Sequence, residues 1–306
     1  MSSDHVEHSP RATGHRPPAA EWAVALGCAI LAGLALTWPL ATRLATDLPG
    51  GAHKDGLEDA YQNVWNLWWT VRALARPTNP LITDRFFFPE GPNLFFHTLS
   101  PANTLLAAPV TALWGPIAGF NAVALLSFAL GGLGMWALAR ERVGHGPALL
   151  AGLAFVASPF HMAALLSDGQ LQIFALQWLP WYILFLLRAL RPGGRRRDAL
   201  LAGVFLTLTA WTDWYYTLFL LIFTAGAMIW IGIEGWRLRR QPSILRMIAR
   251  VALVGGISAI GAAPLVVPML VEASRSSYMT LYPADDPARL SADLLAYLVP
   301  PRTHAL

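Results

Sequence analysis

Apolar positions in this chain come in long runs, separated by short polar stretches. Seven runs approach the roughly 20 apolar residues that a helix needs to cross a bilayer. They cover about 22–42, 117–139, 147–164, 171–190, 198–213, 214–236 and 250–271, the third and fifth being short. The apolar stretch Pro101 to Trp114 has only fourteen residues and is expected to lie on the surface or re-enter. A span there would exchange the sides of the segments before it relative to the later loops. The pattern predicts an all-α membrane protein with about seven transmembrane helices. Residues 1–21 form a polar tail, 22–271 the transmembrane part with one long loop at 43–116, and 272–306 a closing segment.

The long loop has a helical pattern of its own. Leu57, Tyr61, Val64, Trp65, Trp68, Val71 and Ala75 recur along one helical face. Asp55, Glu58 and Asp59 suit the positive end of that helix, and Arg72 and Arg76 its negative end. Pro77 stops it. The loop therefore carries an amphipathic interfacial helix over about 57–76. Pro89 and Gly91-Pro92 enforce turns in the next stretch. Phe86, Phe87 and Phe88 either dip into the interface or pack under the loop. His97, Thr98 and Ser100 lead to the short apolar helix.

Charge gives the spans a direction. Arg140 and Arg142, then Arg188, Arg191, Arg195, Arg196 and Arg197, then Arg237, Arg239, Arg240, Arg246 and Arg250, fall in alternate gaps. With Arg11 and Arg16 they place 14 of the 22 Lys and Arg on one side, while 12 of the 18 acids fall on the other. By the positive-inside rule the N-terminus is cytoplasmic, and the long loop and the segment 272–306 face outward. Only 13% of residues are charged, against roughly 25% in soluble domains. Cytoplasmic loops account for the net charge of +4, so no nucleic-acid partner is expected; the partner is the lipid bilayer.

Residues 1–21, with Pro10, Pro17 and Pro18, read as a disordered cytoplasmic tail in which His5 and His8 are solvated. The first run exceeds a signal-peptide core and should stay as an anchor. Cys28, the only cysteine, leaves no intrachain disulfide and no Cys-based metal site. Trp22, Trp38, Trp114, Trp136, Trp211, Trp214 and Trp236 lie near span ends, as in an aromatic belt.

The candidate chemistry lies in the acids of the outer side. Glu58-Asp59 is a carboxylate pair at the interface that could ligate a divalent cation or accept a proton; the alternative is plain helix capping. Asp168, in Ser167-Asp168-Gly169-Gln170, is a second outer acid or an ordinary loop tip. Asp213 and Trp214, within Trp211-Thr212-Asp213-Trp214-Tyr215-Tyr216, could bind sugar through ring stacking or form an exposed turn. Gln170, Gln172 and Gln177 make the fourth span polar, either to line a cavity or as packing glue, and Pro180 should kink it. Phosphate-loop, zinc-protease and nucleophile-elbow motifs are absent.

The stretches YQNVWNLWW, NPLITDRFFFPEG and FHTLSPANTLLAAP resemble the GT-C class of integral-membrane glycosyltransferases, and more closely its poorly characterised bacterial branch. The likeness continues through FNAVALLSFALGGLGMWALAR, LAGLAFVASPF and LQWLPWYILFLLRAL, covering most of residues 35–300. It implies a GT-C-like fold in a bacterial cytoplasmic membrane. It implies transfer of a sugar from a polyprenyl-phosphate donor to a glycan, lipid or protein acceptor on the outer face, in the service of the cell envelope. The essential acid of the first outer loop would be Asp59, with Glu58 beside it, as general base or metal ligand. A divalent cation, Mg or Mn, is an expected cofactor, and an organic cofactor is not. Arg72 and Arg85, with Arg76, would neutralise phosphate, and His97, Asp168, Asp213 and Trp214 would contact substrate. Class members continue with further spans and an outer domain, so the chain resembles an N-terminal module. Two other readings stay open: a transporter or flippase, and a non-catalytic scaffold.

The orientation is testable with single cysteines in a Cys28→Ser background. In intact cells an impermeant thiol reagent should label Asp84→Cys and leave Arg195→Cys unlabelled. The reverse pattern would invert the topology.

Overall fold

The structure, a computed structural model, describes residues 17–49, 58–76, 78–89, 91–166, 169–237 and 244–275, without the side chains of Glu58 and Trp236. Among these residues it is all-helical apart from one isolated bridge, Ile82 to Asn93. In chain order the helices are α1 Ala19–Leu36, α2 Glu58–Ala75, α3 Pro101–Trp114, α4 Pro116–Arg140, α5 His145–Val156 and α6 Pro159–Leu166. Then follow α7 Leu171–Phe174, α8 Leu179–Leu190, α9 Arg196–Ala210, α10 Trp214–Arg237 and α11 Ile244–Arg275.

Six segments are long and apolar enough to cross a membrane: α1, α4, α5–α6, α7–α8, α10 and α11. Leu31, Leu150, Ile222 and Ile260 stand exposed on them, as lipid-facing residues do. The chain is an all-α membrane protein. The fifth predicted span is α9, whose 15 residues reach only ~22 Å at 1.5 Å per residue. That falls short of the roughly 30 Å hydrocarbon core.

Side-chain contacts sort the helix ends into two groups. At one end Glu21 of α1 meets Arg140 of α4 (2.9 Å) and His145 of α5 (3.4 Å). Glu141 there takes both Arg188 and Arg191 from the end of α8, and Arg250 of α11 donates to the Gly194 carbonyl before α9. The alternate arginine gaps of the sequence thus converge. At the other end Asn121, in the first turns of α4, donates to the carbonyls of Leu44 and Asp47, beyond α1. Ser100, before α3, donates to the Thr212 carbonyl between α9 and α10. Helix α3, with 14 residues, is not among the six segments long enough to cross.

Two spans differ from their expected form. The third breaks at Ala157–Ser158, and the fourth at residues 175–178. Pro159 and Pro180 sit in the first turns of α6 and α8, where a missing N–H costs nothing, rather than at a kink. Pro264 and Pro268 lie inside the continuous α11. Trp136 is not a belt residue: it is buried against Trp22, ring centroids 4.7 Å apart.

Small residues bring the helices close. A Cβ on Gly152 of α5 would lie 2.8 Å from the Gly132 carbonyl oxygen of α4. Leu67, Phe120, Phe128, Leu165 and Phe174 then fill one core between α2, α4, α6 and α7. Tyr182, Leu186, Leu206, Leu220 and Val254 fill another between α8, α9, α10 and α11. The chain divides after Ala263 into two compact units. In the second, the described residues 264–275 are the last turns of α11. The tail before residue 17, Asp285, Asp286 and the rest of 276–306 lie outside the described residues.

Glu141 makes the first group of contacts testable. Burial pushes its carboxyl up, but the Arg188 and Arg191 guanidiniums outweigh this and hold it below the ordinary 4.5. A depressed carboxyl stabilises the fold above its unfolded value and loses that contribution as pH falls. Glu141→Gln should therefore cost about 1–2 kcal/mol at pH 7, allowing for the part-exposed arginines. The difference in thermal midpoint from wild type should shrink as pH falls below about 4.5.

Candidate functional site

Helix α2 forms where the sequence predicted, but it buries a different face. Ala60, Asn63, Asn66, Leu67, Thr70 and Ala73 face the protein, while Tyr61, Trp68 and Leu74 are exposed. Positions 59, 63, 66 and 70 make a polar stripe at helical spacing, ending in the first turn at Asp59. Trp69 leaves this face with its indole N–H donating to the Pro80 carbonyl, 2.9 Å away.

Asp59 is half-buried, and its Oδ2 accepts the side-chain amide of Gln170 at 2.7 Å. One turn on, Asn63 donates to the Asp59 carbonyl at 2.8 Å and to Gln172 Oε1 at 3.0 Å. The turn before α7 can approach so closely because of Gly169. Its φ is +61°, and a Cβ there would lie 2.5 Å from the Ala60 Cβ. The fourth-span glutamines are thus paired: Gln177 also donates to Asn103 Oδ1 at 3.1 Å.

A second polar group begins one turn further along α2. Asn66 donates to the Thr98 carbonyl at 2.7 Å, which turns its oxygen toward His97 Nε2, also at 2.7 Å. His97 Nε2 therefore carries the proton and donates. Burial lowers the affinity of His97 for a second proton, so the neutral ring is favoured. Two residues beyond Thr98, Ser100 donates separately to the carbonyl of Thr212, the residue before Asp213. Asp213 is buried and caps α10: its Oδ1 accepts the N–H groups of Tyr215 (2.8 Å) and Tyr216 (3.3 Å). Burial raises its pKa, and those two N–H groups oppose the rise. Tyr216 donates to the Ile173 carbonyl at 2.7 Å, joining α10 to α7. Trp214 is exposed beside this cap.

The same end of the bundle thus holds Asp59, His97, Asp213 and Trp214. The cations are not gathered around Asp59. Arg72 stands thirteen residues along α2, ~20 Å away at helical rise, with its guanidinium over the Trp68 ring at 5.4 Å. Arg76 is exposed past the end of α2, and Arg85 pairs with its neighbour Asp84 at 3.1 Å. Asp168 and the Glu58 side chain lie outside the described residues. No group of three metal-ligating side chains occurs among the described residues.

No family model, no characterised protein and no solved structure matches the chain.

Several polar residues of this end went unread in the sequence. Asn63, Asn66 and Thr70 continue the Asp59 stripe, and that spacing could have revealed them. His161 could not have been found so. It is buried in α6 among Phe128, Phe155 and Phe174, with Nδ1 3.3 Å from the Phe155 carbonyl and no partner on Nε2 among the described residues. A lone histidine in an apolar run carries no spacing signal.

The close approach at Gly169 is the most sensitive point of the site. Gly169→Ala should force the turn off α2 and strain the positive φ. The expected loss is about 1–3 kcal/mol of stability, read as a lower thermal midpoint in detergent.

Proposed function

We propose that the chain is a membrane glycosyltransferase, or the N-terminal module of one, that moves a sugar from a polyprenyl-phosphate carrier to an acceptor outside the membrane. The observation that carries this reading is Asp59: a half-exposed carboxylate in the first turn of α2, oriented by Gln170, at the end of the bundle away from the arginines. Such a group suits a general base at the lipid–water boundary. The acceptor hydroxyl would attack the anomeric carbon as Asp59 takes its proton. The bond from that carbon to the phosphate oxygen would break, and the carrier phosphate would leave with the electron pair. Oδ1 of Asp59 has no hydrogen-bond partner among the described residues, so it is the atom placed to receive the proton. His97 and Trp214 are proposed contacts to substrate; Arg72, over Trp68 and roughly 20 Å along α2 from Asp59, and Arg85, paired with Asp84, are not gathered where the phosphate would leave.

A divalent cation would be held by Asp59 with Glu58. The described donors near Asp59 supply one carboxylate, and Gln170 turns its nitrogen toward it. That donor set falls short of the several oxygens such ions take.

A second reading has its own support. Two apolar spans are broken, at 157–158 and 175–178, and discontinuous helices mark the binding sites of many transporters. Movement of a lipid-linked substrate is therefore the alternative.

One variant separates the two. In proteoliposomes Asp59→Asn should lower sugar transfer from a polyprenyl-phosphate donor by about 10²–10⁴-fold, as loss of a general base does, with unchanged protein level. Wild-type transfer in that variant would remove Asp59 from the chemistry. Movement of the lipid-linked sugar across the bilayer without transfer, in the wild-type protein, would favour the alternative.

A further inference from the structure

The loop at 81–94 is built to present apolar rings. Its two arms are held by Thr83 N–H to the Pro92 carbonyl and Leu94 N–H to the Leu81 carbonyl, the pair of bonds that makes the Ile82–Asn93 bridge. Gly91 closes the tip with φ +65°, where a Cβ would meet the Thr83 oxygen at 2.1 Å. Within this frame the three phenylalanines part company. Phe86 packs beneath the loop against Trp65, ring centroids 5.1 Å apart. Phe87 and Phe88 stay 78% and 81% exposed. Phe87 also adopts φ +52°, a conformation that bulky residues rarely take. The fold thus holds two large apolar side chains outward on a strained backbone, a poor arrangement for water.

Lipid resolves it. The loop rests on α2 through Phe86 and Trp65, and through Trp69, Leu94 and Leu99. Leu99 leads directly to Ser100, which is tied to Thr212 at the head of α10. The loop therefore belongs to the end of the bundle where Trp38, Trp114 and Tyr215 stand 67%, 65% and 67% exposed at helix ends. Exposed aromatics at span ends occupy the headgroup region of a bilayer, and the two phenylalanines extend that surface. Arg85, part-exposed beside them, suits the lipid phosphates.

We propose that Phe87 and Phe88 form a membrane-insertion tip that anchors the first long loop in the interfacial layer of the bilayer, beyond the anchoring given by the spans. The proposal does not depend on the transfer chemistry.

The lone cysteine makes the test clean. In a Cys28→Ser background, the full chain with Phe88→Cys, Phe87→Cys or Asp84→Cys is labelled with an environment-sensitive fluorophore. It is reconstituted in vesicles of phosphatidylcholine and phosphatidylglycerol. Phe88 is 81% exposed, and Phe87, 78% exposed, meets Phe86 edge to face at 6.0 Å without being buried, so these variants should fold; size-exclusion profiles check this. Labels at 87 and 88 should emit at shorter wavelength than the label at 84. Lipids carrying a nitroxide near the headgroup should quench them about twofold more than lipids carrying it at the chain end, in keeping with insertion of roughly 5–10 Å. Emission and quenching equal to those at 84 would overturn the proposal. So would a blue shift without lipid quenching, which would mean that protein covers the tip.

Discussion

A polar group inside an apolar span must find its partner within the protein, because hydrocarbon offers none. That constraint organises the end of the molecule that holds Asp59. The fourth span unwinds at 175–178, with Gln172 just before the break and Gln177 within it. Asn63 of α2 and Asn103 of α3 supply their side-chain partners. Two helices that do not span are thereby fixed to a span that is broken. Gln170, before α7, then reaches the carboxylate of Asp59. The amide pairs act together with the close approach of Gly169 to Ala60 to set α2 against the start of α7.

The two ends of the bundle use different chemistry for the same task. At the arginine end, carboxylates of α1 and the α4–α5 turn pair with guanidiniums from other helices. Those side chains are part-exposed, so the desolvation cost of the ions stays modest. At the other end, the buried contacts between helices are made by neutral amides, hydroxyls and carbonyls, and the one buried carboxyl named there, Asp213, is held by the backbone N–H groups of α10. Neutral partners can be sealed among helices at much lower cost than ions. Asp59 sits at the rim of this neutral layer and is oriented by an amide without ion pairing.

The helices were legible because length and hydropathy are properties of each segment alone. Runs near 117–139 and 214–236 became α4 and α10 almost residue for residue. The fifth run was harder, since its last residues, Trp211 to Asp213, make the turn and cap between α9 and α10 rather than further helix. The face of α2 that meets the protein was harder for a different reason. The apolar stripe drew the reading to one side of the helix, where Tyr61 and Trp68 are exposed but Val64 and Trp65 pack on protein, and the polar side was left unexamined. Beside lipid, an apolar stripe does not have to point at protein, and a polar stripe does not have to point at water. Trp136 shows the same gap: a tryptophan near a span end can sit in a belt or between two helices, and only the partner, Trp22, decides.

The same inversion bears on the choice between transfer and transport. A translocation path needs polar side chains that a substrate can reach in turn. The amides instead bond in pairs across the seam, Asn63 to Gln172 and Gln177 to Asn103, with Asn103 Nδ2 and Gln177 Oε1 left without a partner among the described residues, and Asn63, Asn66 and Asn103 are buried. Their hydrogen bonds would have to break for a substrate to pass between them, with each orphaned group then facing an apolar core. Asp59 differs from them in being half-exposed, with one oxygen held and one left open. Chemistry at that rim asks for no opening of the seam, whereas passage through it asks for several pairs to separate together. On that physical ground the rim carboxylate is the better supported working point of the molecule.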